Sequence, residues 1–307
     1  LFFSKPNPAY AILSGLVGSE MCIRDRYTVM SAKLEKGRYR NVMGNQAIAW
    51  GFIAASEKSG KELFLGSYPI TPASDILHEL AKYKNLGVKT FQAEDEISGI
   101  CSAIGASFAG NLGITTTSGP GFALKGEALG LSVMTELPLV VVDVQRGGPS
   151  TGLPTKTEQS DLMQALYGRN GESPAVVLAC STPSNCFDWS YMASKITLEH
   201  NTPVILLSDG YLGNGSEPWR IKTVKEMENI NPLVAKEGGS YKPYLRDKKT
   251  LSRKLAIPGT KGLEHRIGGL EKEDITGNVS YDPENHCLLY TSPSPRDQRG
   301  SRMPGSA

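Results

Sequence analysis

The sequence of 307 residues contains only five cysteines, and no two of them form a Cys-x-x-Cys pair. That absence excludes a zinc knuckle and the cysteine run that binds an iron–sulfur cluster. An odd number of irregularly spaced cysteines favours a reducing, cytoplasmic location over a disulfide-stapled secreted domain. Cys101 stands among small residues of a predicted helix, so we expect it to be buried.

Long apolar runs and charge of one sign are also lacking. The longest runs, residues 137–142 and 203–207, have the length of strands, whereas a membrane helix needs ~20 apolar residues. The net charge is +2 and is scattered along the chain, so no nucleic-acid surface is indicated. Neither GxGxxG nor GxxxxGK[ST] occurs, and no nucleophile elbow is present. We expect no membrane segment, no nucleic-acid partner, no hydrolytic triad and no metal site in this chain.

What is present is an alternation of helix-like and strand-like segments from residue 44 to residue 210. The strand-like segments are short apolar runs, and glycine or proline follows most of them. This pattern predicts an α/β fold, a doubly wound and mainly parallel sheet with helices on both faces. Ligands of such folds bind beyond the carboxyl ends of the strands. The loops expected there are SYPITP (67–72), QAEDE (92–96), TSGPG (117–121) and QRGGPSTG (145–152).

The composition divides the chain into four parts. Residues 40–212 carry the alternating pattern and are expected to form the sheet domain. Residues 213–286 are rich in glycine, proline and charge, and we expect an extended arm or interdomain linker. Residues 1–27 and 287–307 resemble translated sequencing-adapter sequence, so we expect both to be disordered and foreign to the protein.

Three motifs carry special residues, and each has two interpretations. The acids Glu94, Asp95 and Glu96 precede a helix with a face of small residues; they either do proton chemistry or provide favourable charge at a helix N-terminus. The turn 119–121 either brings main-chain amides to a ligand at a helix start or is a tight strand-to-helix turn. The loop 146–157, framed by two cations, either binds a small carboxylate or is a flexible surface loop.

Taken together, GSYPITPASDI, QAEDEISG followed by IGASFAG, TTTSGPGFALKGE and VQRGGPSTGLPTKTEQSDL strongly resemble one family. It is the alpha subunit of the 2-oxoacid:ferredoxin oxidoreductases, of the 2-oxoglutarate synthase type, over roughly residues 40–286. The resemblance implies the pyrimidine-binding domain of a thiamine diphosphate enzyme. In that domain Glu96, nine residues before Gly105, would hydrogen-bond N1′ of the aminopyrimidine ring as the catalytic residue.

The same resemblance implies two further groups of site residues. The substrate-binding residues would be Thr71 and Arg146, with Ser150, Thr151 and Lys156 as candidates for a distal carboxylate. The residues bordering the pyrimidine would be Tyr68, Gly119, Pro120 and Gly121.

The implied activity is the oxidative decarboxylation of a 2-oxoacid, with 2-oxoglutarate favoured, to an acyl-coenzyme A while ferredoxin accepts the electrons. No GDG motif with its downstream Asn pair occurs. Diphosphate, Mg²⁺ and a 4Fe–4S cluster are therefore expected on a separate beta subunit, and this chain alone is expected to be inactive. Two alternatives remain open: a pyruvate- or branched-chain-type relative, and a non-catalytic module that retains the fold.

Overall fold

The computed structural model describes residues 33–236 and 241–291. The expectations for residues 1–27 and 292–307 therefore concern residues outside the described ranges. The strands are β1 Tyr39–Met43, β2 Leu63–Ser67, β3 Lys89–Gln92, β4 Leu112–Thr117, β5 Leu139–Gln145, β6 Val176–Ala179, β7 Pro203–Asp209 and β8 Ser216–Arg220. The helices are α1 Gly44–Ser59, α2 Ser74–Leu80, α3 Glu96–Phe108, α4 Gly119–Leu124, α5 Gly126–Thr135, α6 Leu162–Tyr167, α7 Asn185–His200, α8 Gly210–Asn214 and α9 Pro283–Thr291. Short 3₁₀ helices cover Ala81–Leu86 and Val224–Glu226.

Six of the strands form one parallel sheet in the order β3-β2-β4-β5-β7-β6. The predicted parallel α/β architecture is thereby confirmed. The remaining strands, β1 and β8, pair with each other as an antiparallel ribbon in which Tyr39 lies opposite Arg220. The sequence pattern did not predict this ribbon, because its strands are short and mostly polar.

Two apolar layers, one on each face of the sheet, form the core. Alternate residues of one strand point to opposite faces, so Val140 and Val142 of β5 lie in one layer while Leu139 and Val141 lie in the other. Helices α1, α2 and α7 cover the first layer, and α3 to α6 cover the second. Each fully buried aliphatic side chain contributes about 1.5–3 kcal/mol relative to exposure, so the sheet provides a rigid base for the loops at its edge.

The strand order reverses between β2 and β4. From β2 the chain moves outwards to β3, and from β4 it moves in the opposite direction to β5. A crevice opens at such a reversal, beyond the carboxyl ends of the two strands. The segments that leave β2 and β4 are SYPITP and TSGPG, two of the four loops predicted to carry a site.

Two local details differ from the sequence-based expectation. A serine before an apolar helical pattern predicts Ser74 as the N-cap of α2, but Ser74 is the first residue of that helix; its Oγ donates to the carbonyl of Ile70 and accepts from the amide of Ile70. The residues 123–135 predict one helix, but the segment is divided at Lys125 into α4 and α5. The division coincides with the burial of the Lys125 side chain, which an uninterrupted amphipathic helix would not predict.

Between β8 and α9 lies an irregular segment, residues 221–282, with 237–240 outside the described ranges. Its attachment to the sheet domain is partly apolar, through Ile230 and Leu255, and partly ionic. Glu136 Oε1 lies 3.0 Å from Arg246 Nη2 and 3.2 Å from Arg253 Nε, and the three side chains are almost entirely buried. The Arg253 guanidinium also lies 4.7 Å from the ring centroid of Tyr244. Helix α9 crosses the boundary expected at residue 287.

Candidate functional site

Hydroxyl groups join the carboxyl ends of β2 and β4. Tyr68 Oη lies 2.9 Å from Thr117 Oγ1, and Ser67 Oγ lies 2.5 Å from Thr116 Oγ1. All four side chains are buried. Because these hydrogen bonds cross the strand-order reversal, they fix the spacing of the two strand ends that border the crevice.

Gly121 lies where the main chain after β4 meets this hydroxyl cluster. A Cβ added to Gly121 would overlap Tyr68 Oη and Thr117 Oγ1 and would lie 2.9 Å from Glu96 Cγ. Only a glycine fits that space, so the GPG turn packs directly against one phenol, one threonine and the stem of one glutamate. The alternative of a plain strand-to-helix turn does not account for the glutamate beside it.

The three acids before α3 have different environments. Asp95 caps the helix, and its Oδ1 accepts a hydrogen bond of 2.8 Å from the amide of Ser98. Glu94 is exposed. Glu96 is half-buried and faces Gly121 and Tyr68. The favourable-charge interpretation therefore fits Asp95, whereas Glu96 is the acid placed at the crevice.

The phenol of Tyr68 is held in its neutral form. Burial raises its pKa above the usual range, the hydrogen bond with Thr117 opposes that shift, and the nearby Glu96 carboxylate adds to it. A neutral phenol can both donate and accept, so it can hydrogen-bond either form of the carboxyl beside it.

Gly119 packs against a pair of interacting carboxyls. A Cβ added there would lie 2.8 Å from Asp161 Oδ2, and the carboxyl of Asp161 interacts with that of Asp143, which is fully buried at 0% exposure in β5. Burial raises the pKa of Asp143 well above its usual range, and the Asp161 charge raises it further. Because neither oxygen of Asp143 has a donor, the pair needs a proton of its own to be stable.

Arg146, the first predicted substrate-binding cation, connects two loops at the crevice. Its Nη1 donates to the carbonyl of Thr71 over 2.6 Å, and its Nη2 donates to the carbonyl of Thr151 over 3.0 Å. The guanidinium is buried, and its Nε has no partner. The structure thus brings together Thr71, Arg146 and Thr151; their contact with a 2-oxoacid stays a prediction.

The loop that follows Arg146 is folded rather than loose. The amide of Gly147 donates to the carbonyl of Lys156, and that of Leu153 donates to the carbonyl of Gly147, both over 2.8 Å. Ser150 adopts a left-handed conformation with φ +57° and is exposed. The Lys156 side chain is exposed too, and no carboxylate within the described residues pairs with its ammonium. The exposed Lys156 ammonium at the end of the loop is the kind of cation that binds a carboxylate.

Cysteines and metal ligands contribute little to this site. Cys180 and Cys186 are buried thiols. Cys101 is exposed, so the expectation that it is buried is wrong: it lies on the outer side of α3. Within residues 33–236 and 241–291, no three His, Cys, Asp or Glu side chains converge as metal ligands. In the same ranges, no helix is both long enough and apolar enough to cross a membrane.

Four of the residues at this edge were not predicted as site residues: Thr117, Lys125, Asp143 and Asp161. A charged residue inside the apolar strand LPLVVVDVQ, and a lone lysine in a run of small and apolar residues, were the signals available. Buried ionisable groups cluster at functional sites, and that argument would have singled out Asp143 and Lys125.

The matched family includes all of these loops. A family profile described as "Pyruvate flavodoxin/ferredoxin oxidoreductase, thiamine diP-bdg" matches residues 57–281, well over half of the chain. The chain belongs to this family. The matched range contains the six-stranded parallel sheet and nearly all of the irregular segment 221–282, and it includes Glu96, Gly121 and Arg146.

Curated relatives bear more specific names. The chain is 61% identical over 263 residues to the "2-oxoglutarate oxidoreductase subunit KorA" of Mycobacterium tuberculosis, covering 86% of this chain and 40% of the relative. It is 39% identical over 249 residues to the "2-oxoglutarate synthase subunit KorA" of Methanocaldococcus jannaschii, covering 81% of this chain and 65% of the relative. The chain thus spans less than two thirds of either protein.

One solved structure matches closely. It is the "2-oxoglutarate:ferredoxin oxidoreductase from Magnetococcus marinus with 2-oxoglutarate, coenzyme A and succinyl-CoA bound", with a TM-score of 0.77 and 37% sequence identity. The match covers 88% of this chain and 45% of that one. The likeness extends beyond the sheet, since that coverage is larger than the sheet domain alone.

The residues at the β2–β4 crevice fit the pyrimidine end of thiamine diphosphate. A side chain at Gly121 would overlap Tyr68 Oη and Thr117 Oγ1, and one at Gly119 would meet the Asp161 carboxyl. Within the turn 119–121, Pro120 alone adds a side chain to the wall that the turn forms. Glu96 provides a carboxyl at the opening of this wall, which is the group that an aminopyrimidine nitrogen needs.

Proposed function

We propose that this chain supplies the pyrimidine-side half of the thiamine diphosphate site in a 2-oxoacid:ferredoxin oxidoreductase that acts on 2-oxoglutarate. The observation that carries the proposal is the position of Glu96, against Gly121 and beside Tyr68 at the strand-order reversal. The names of the relatives support the choice of substrate.

In this proposal Glu96 shares a proton with N1′ of the aminopyrimidine, while the turn of Gly119, Pro120 and Gly121 forms the wall along the ring. The neutral phenol of Tyr68 hydrogen-bonds the Glu96 carboxyl. When bound, thiamine diphosphate supplies the carbon nucleophile that adds to the keto group. The protein's own contribution is the placement and protonation of that one carboxyl.

The reaction breaks the bond between the carboxylate carbon and the keto carbon of the substrate, and carbon dioxide leaves. The keto carbon is oxidised to a thioester of coenzyme A, the thiol proton is released, and two ferredoxins each accept one electron. We propose that a beta subunit holds the diphosphate, Mg²⁺ and a 4Fe–4S cluster. The chain itself has no Cys-x-x-Cys pair or GDG motif to provide them.

The substrate is proposed to lie between the loop at Thr71 and the loop that follows Arg146. The hydroxyl of Thr71 and the guanidinium of Arg146 bind its keto acid end. Ser150, Thr151 and Lys156 bind the distal carboxylate, and a cation is the partner that such a carboxylate requires. A cytoplasmic location is proposed with it, because Cys180 and Cys186 are thiols and a reducing compartment preserves them.

The test uses the alpha subunit that contains this chain, assembled with its beta subunit, and follows 2-oxoglutarate-dependent reduction of a viologen dye in the presence of coenzyme A. Glu96→Gln is expected to lower kcat at least about a hundredfold, the usual loss for a general acid–base residue. Glu94→Gln is the matched control, since it removes a neighbouring acid that is exposed, and it should retain wild-type activity. Equal activity of Glu96→Gln and the wild type would contradict the proposed role.

A second candidate is a pyruvate- or branched-chain-type enzyme. The description of the matched family names pyruvate. Lys156→Met distinguishes the two: for a 2-oxoglutarate enzyme it should raise KM for 2-oxoglutarate about tenfold or more and leave the low activity with pyruvate unchanged. An enzyme that prefers pyruvate and is indifferent to Lys156→Met would support the second candidate. Loss of all oxoacid activity in the wild-type assembly would leave only the non-catalytic module.

A further inference from the structure

Lys125 is completely buried at the junction of α4 and α5. Its Nζ donates to the main-chain carbonyl of Glu96 over 2.7 Å and to Thr115 Oγ1 over 3.2 Å. It also lies 5.1 Å from the ring centroid of Tyr68. One ammonium therefore contacts the residue that opens α3, the strand β4 beneath it and the ring at the end of β2.

The ammonium of Lys125 also packs against the main chain of α3. A Cβ added to Gly99 would lie 3.6 Å from Lys125 Nζ, at van der Waals contact. A buried lysine is costly unless it is paired and hydrogen-bonded. A purely apolar packing position would be filled more stably by leucine or methionine.

The titratable groups that face Lys125 come from two elements. Asp95, Glu96 and Cys101 lie on or next to α3, and Tyr68 follows β2. Burial lowers the pKa of Lys125 to about 8, while the negative charges of Glu96 and Asp95 oppose that shift. The side chain is thus charged at neutral pH and loses its proton in the mildly alkaline range.

We propose that Lys125 is a positioning residue for Glu96, holding the main chain of Glu96 and the ring of Tyr68 at one fixed distance on the same side of the pyrimidine site. The inference rests on the proposed function, because it gives Glu96 its catalytic role. Lys125 does not contact the reacting atoms. It acts through the carbonyl of the residue whose carboxyl does.

A displacement of the first turn of α3 would move the Glu96 carboxyl with it. Glu96 is the first residue of α3. The main-chain amides of this first turn have no intrahelical acceptor, so fewer hydrogen bonds hold the turn in place. The Lys125 ammonium ties that turn to β4 through Thr115. A misplacement of about 1 Å in a catalytic group can cost about a hundredfold in rate, so releasing the turn has a kinetic consequence even when the fold is kept.

The charge of Lys125 makes this role pH-dependent. As the pH rises through about 8 the ammonium loses its proton, and with it the attraction to the face of the Tyr68 ring and one of its donors. The wild-type enzyme is therefore expected to show an alkaline limb of kcat/KM near that pH. A variant without the amine lacks the group that titrates and is expected to lack the limb.

The experiment compares Lys125→Met, which keeps the length of the stem, with the wild type in the assembled enzyme, alone and in the Glu96→Gln background. Lys125→Met is expected to lower kcat about tenfold to a hundredfold with KM for 2-oxoglutarate changed less than about threefold. In the Glu96→Gln background it should cost almost nothing more, since residues that act as a unit are not additive. Lys89→Met, an exposed lysine paired with Glu62, is the control.

A readout without turnover accompanies the kinetics. The near-ultraviolet circular dichroism of bound thiamine diphosphate reports the tautomer of its aminopyrimidine, and Lys125→Met is expected to reduce the imino signal while thiamine diphosphate still binds. Two results together would overturn the inference: losses in kcat that multiply in the double variant, and an unchanged dichroism signal. A merely structural role of Lys125 predicts both.

A second variant protects against a folding failure. Lys125→Gln keeps a donor toward the Glu96 carbonyl without the charge, and it is expected to retain more activity than Lys125→Met yet to lose the alkaline limb. A wild-type profile with no limb near pH 8 would overturn the pH-dependent role of Lys125 while leaving the Glu96 assignment intact. A wild-type assembly without any oxoacid activity would instead overturn the proposed function and this inference with it.

Discussion

In the sheet domain, valine, isoleucine and leucine alternate between two apolar layers, whereas the irregular segment 221–282 buries two arginines and a tyrosine against Glu136. The apolar layers repeat with the period of a strand. The charged attachment has no period and depends on a few atoms. The irregular segment also adds single apolar side chains, Ile230 and Leu255, to the two layers, but its buried charges depend on individual pairings rather than on a repeating pattern.

The largest expected effect is the loss of the charged attachment through Glu136→Gln. The variant leaves Arg253 buried without its carboxylate and Arg246 with only Asp274. Breaking a buried ion pair from one side costs about 3–5 kcal/mol, so we expect a decrease of that size in the free energy of unfolding, measured by denaturant titration. Limited proteolysis should then cleave the segment 221–282 before the sheet domain.

The control for that prediction is the exposed pair of Glu62 and Lys89, whose side chains are each more than half exposed. Glu62→Gln should change the free energy of unfolding by less than about 0.5 kcal/mol. Similar losses in both variants would show that burial of the charges is not what attaches the segment.

A smaller effect is expected inside the sheet domain, from Gly121→Ala. The added methyl group overlaps two buried hydroxyls, and overpacking of this kind costs about 1–3 kcal/mol. Gly105→Ala is the matched control, because a Cβ there meets nothing within 4 Å. Thermal unfolding and thiamine diphosphate affinity should both fall in Gly121→Ala and stay near the wild-type values in the control; the reverse order would contradict the packing described around Gly121.

The smallest effect, and one of opposite sign, is expected from Asp143→Asn. The raised pKa of Asp143 means that the folded state holds its proton more tightly than the unfolded chain does. Stability is therefore greatest below the ordinary carboxyl pKa of the unfolded chain, and it decreases as the pH rises from there to the raised pKa of the folded state. Asparagine supplies a permanent donor to Asp161 and removes the like charge. We expect a gain of about 1–2 kcal/mol at pH 8 and a weaker dependence of stability on pH.

The measurement is denaturant titration of the variant and the wild type at pH 6 and pH 8. A gain that is equal at both values would contradict the assignment of the pH dependence to this pair. Asp188→Asn, at a partly exposed helix position paired with Lys222, provides the comparison for a carboxyl near the surface.

The sequence predicted the parts of the fold that depend on period. The six parallel strands are short apolar runs, and the helices between them repeat apolar residues at helical spacing, so both could be located to within a few residues. The ribbon of β1 and β8 could not, because pairing between Tyr39 and Arg220 is a contact over a long sequence separation without an apolar signal. The attachment at Glu136 was missed for a similar reason, since arginines in a charged segment are expected at the surface.

The site was predictable as a set of loops but not as a geometry. The carboxyl ends of parallel strands fall on one edge, which placed Tyr68, Glu96 and Gly121 in the same region. The roles of Thr117 and Lys125 depend on side chains buried under those loops, and sequence spacing does not reveal which way a lone lysine turns. The exposure of Cys101 was mispredicted because a helix poor in bulk gives weak information about which face is inside.

The β1–β8 ribbon has a mechanical consequence. Because Tyr39 and Arg220 are partners, residues 40–219 form a closed loop in space. Tension applied between Tyr39 and Arg220 therefore acts on the open end of the ribbon, and it separates the paired residues one after another before it reaches the parallel sheet.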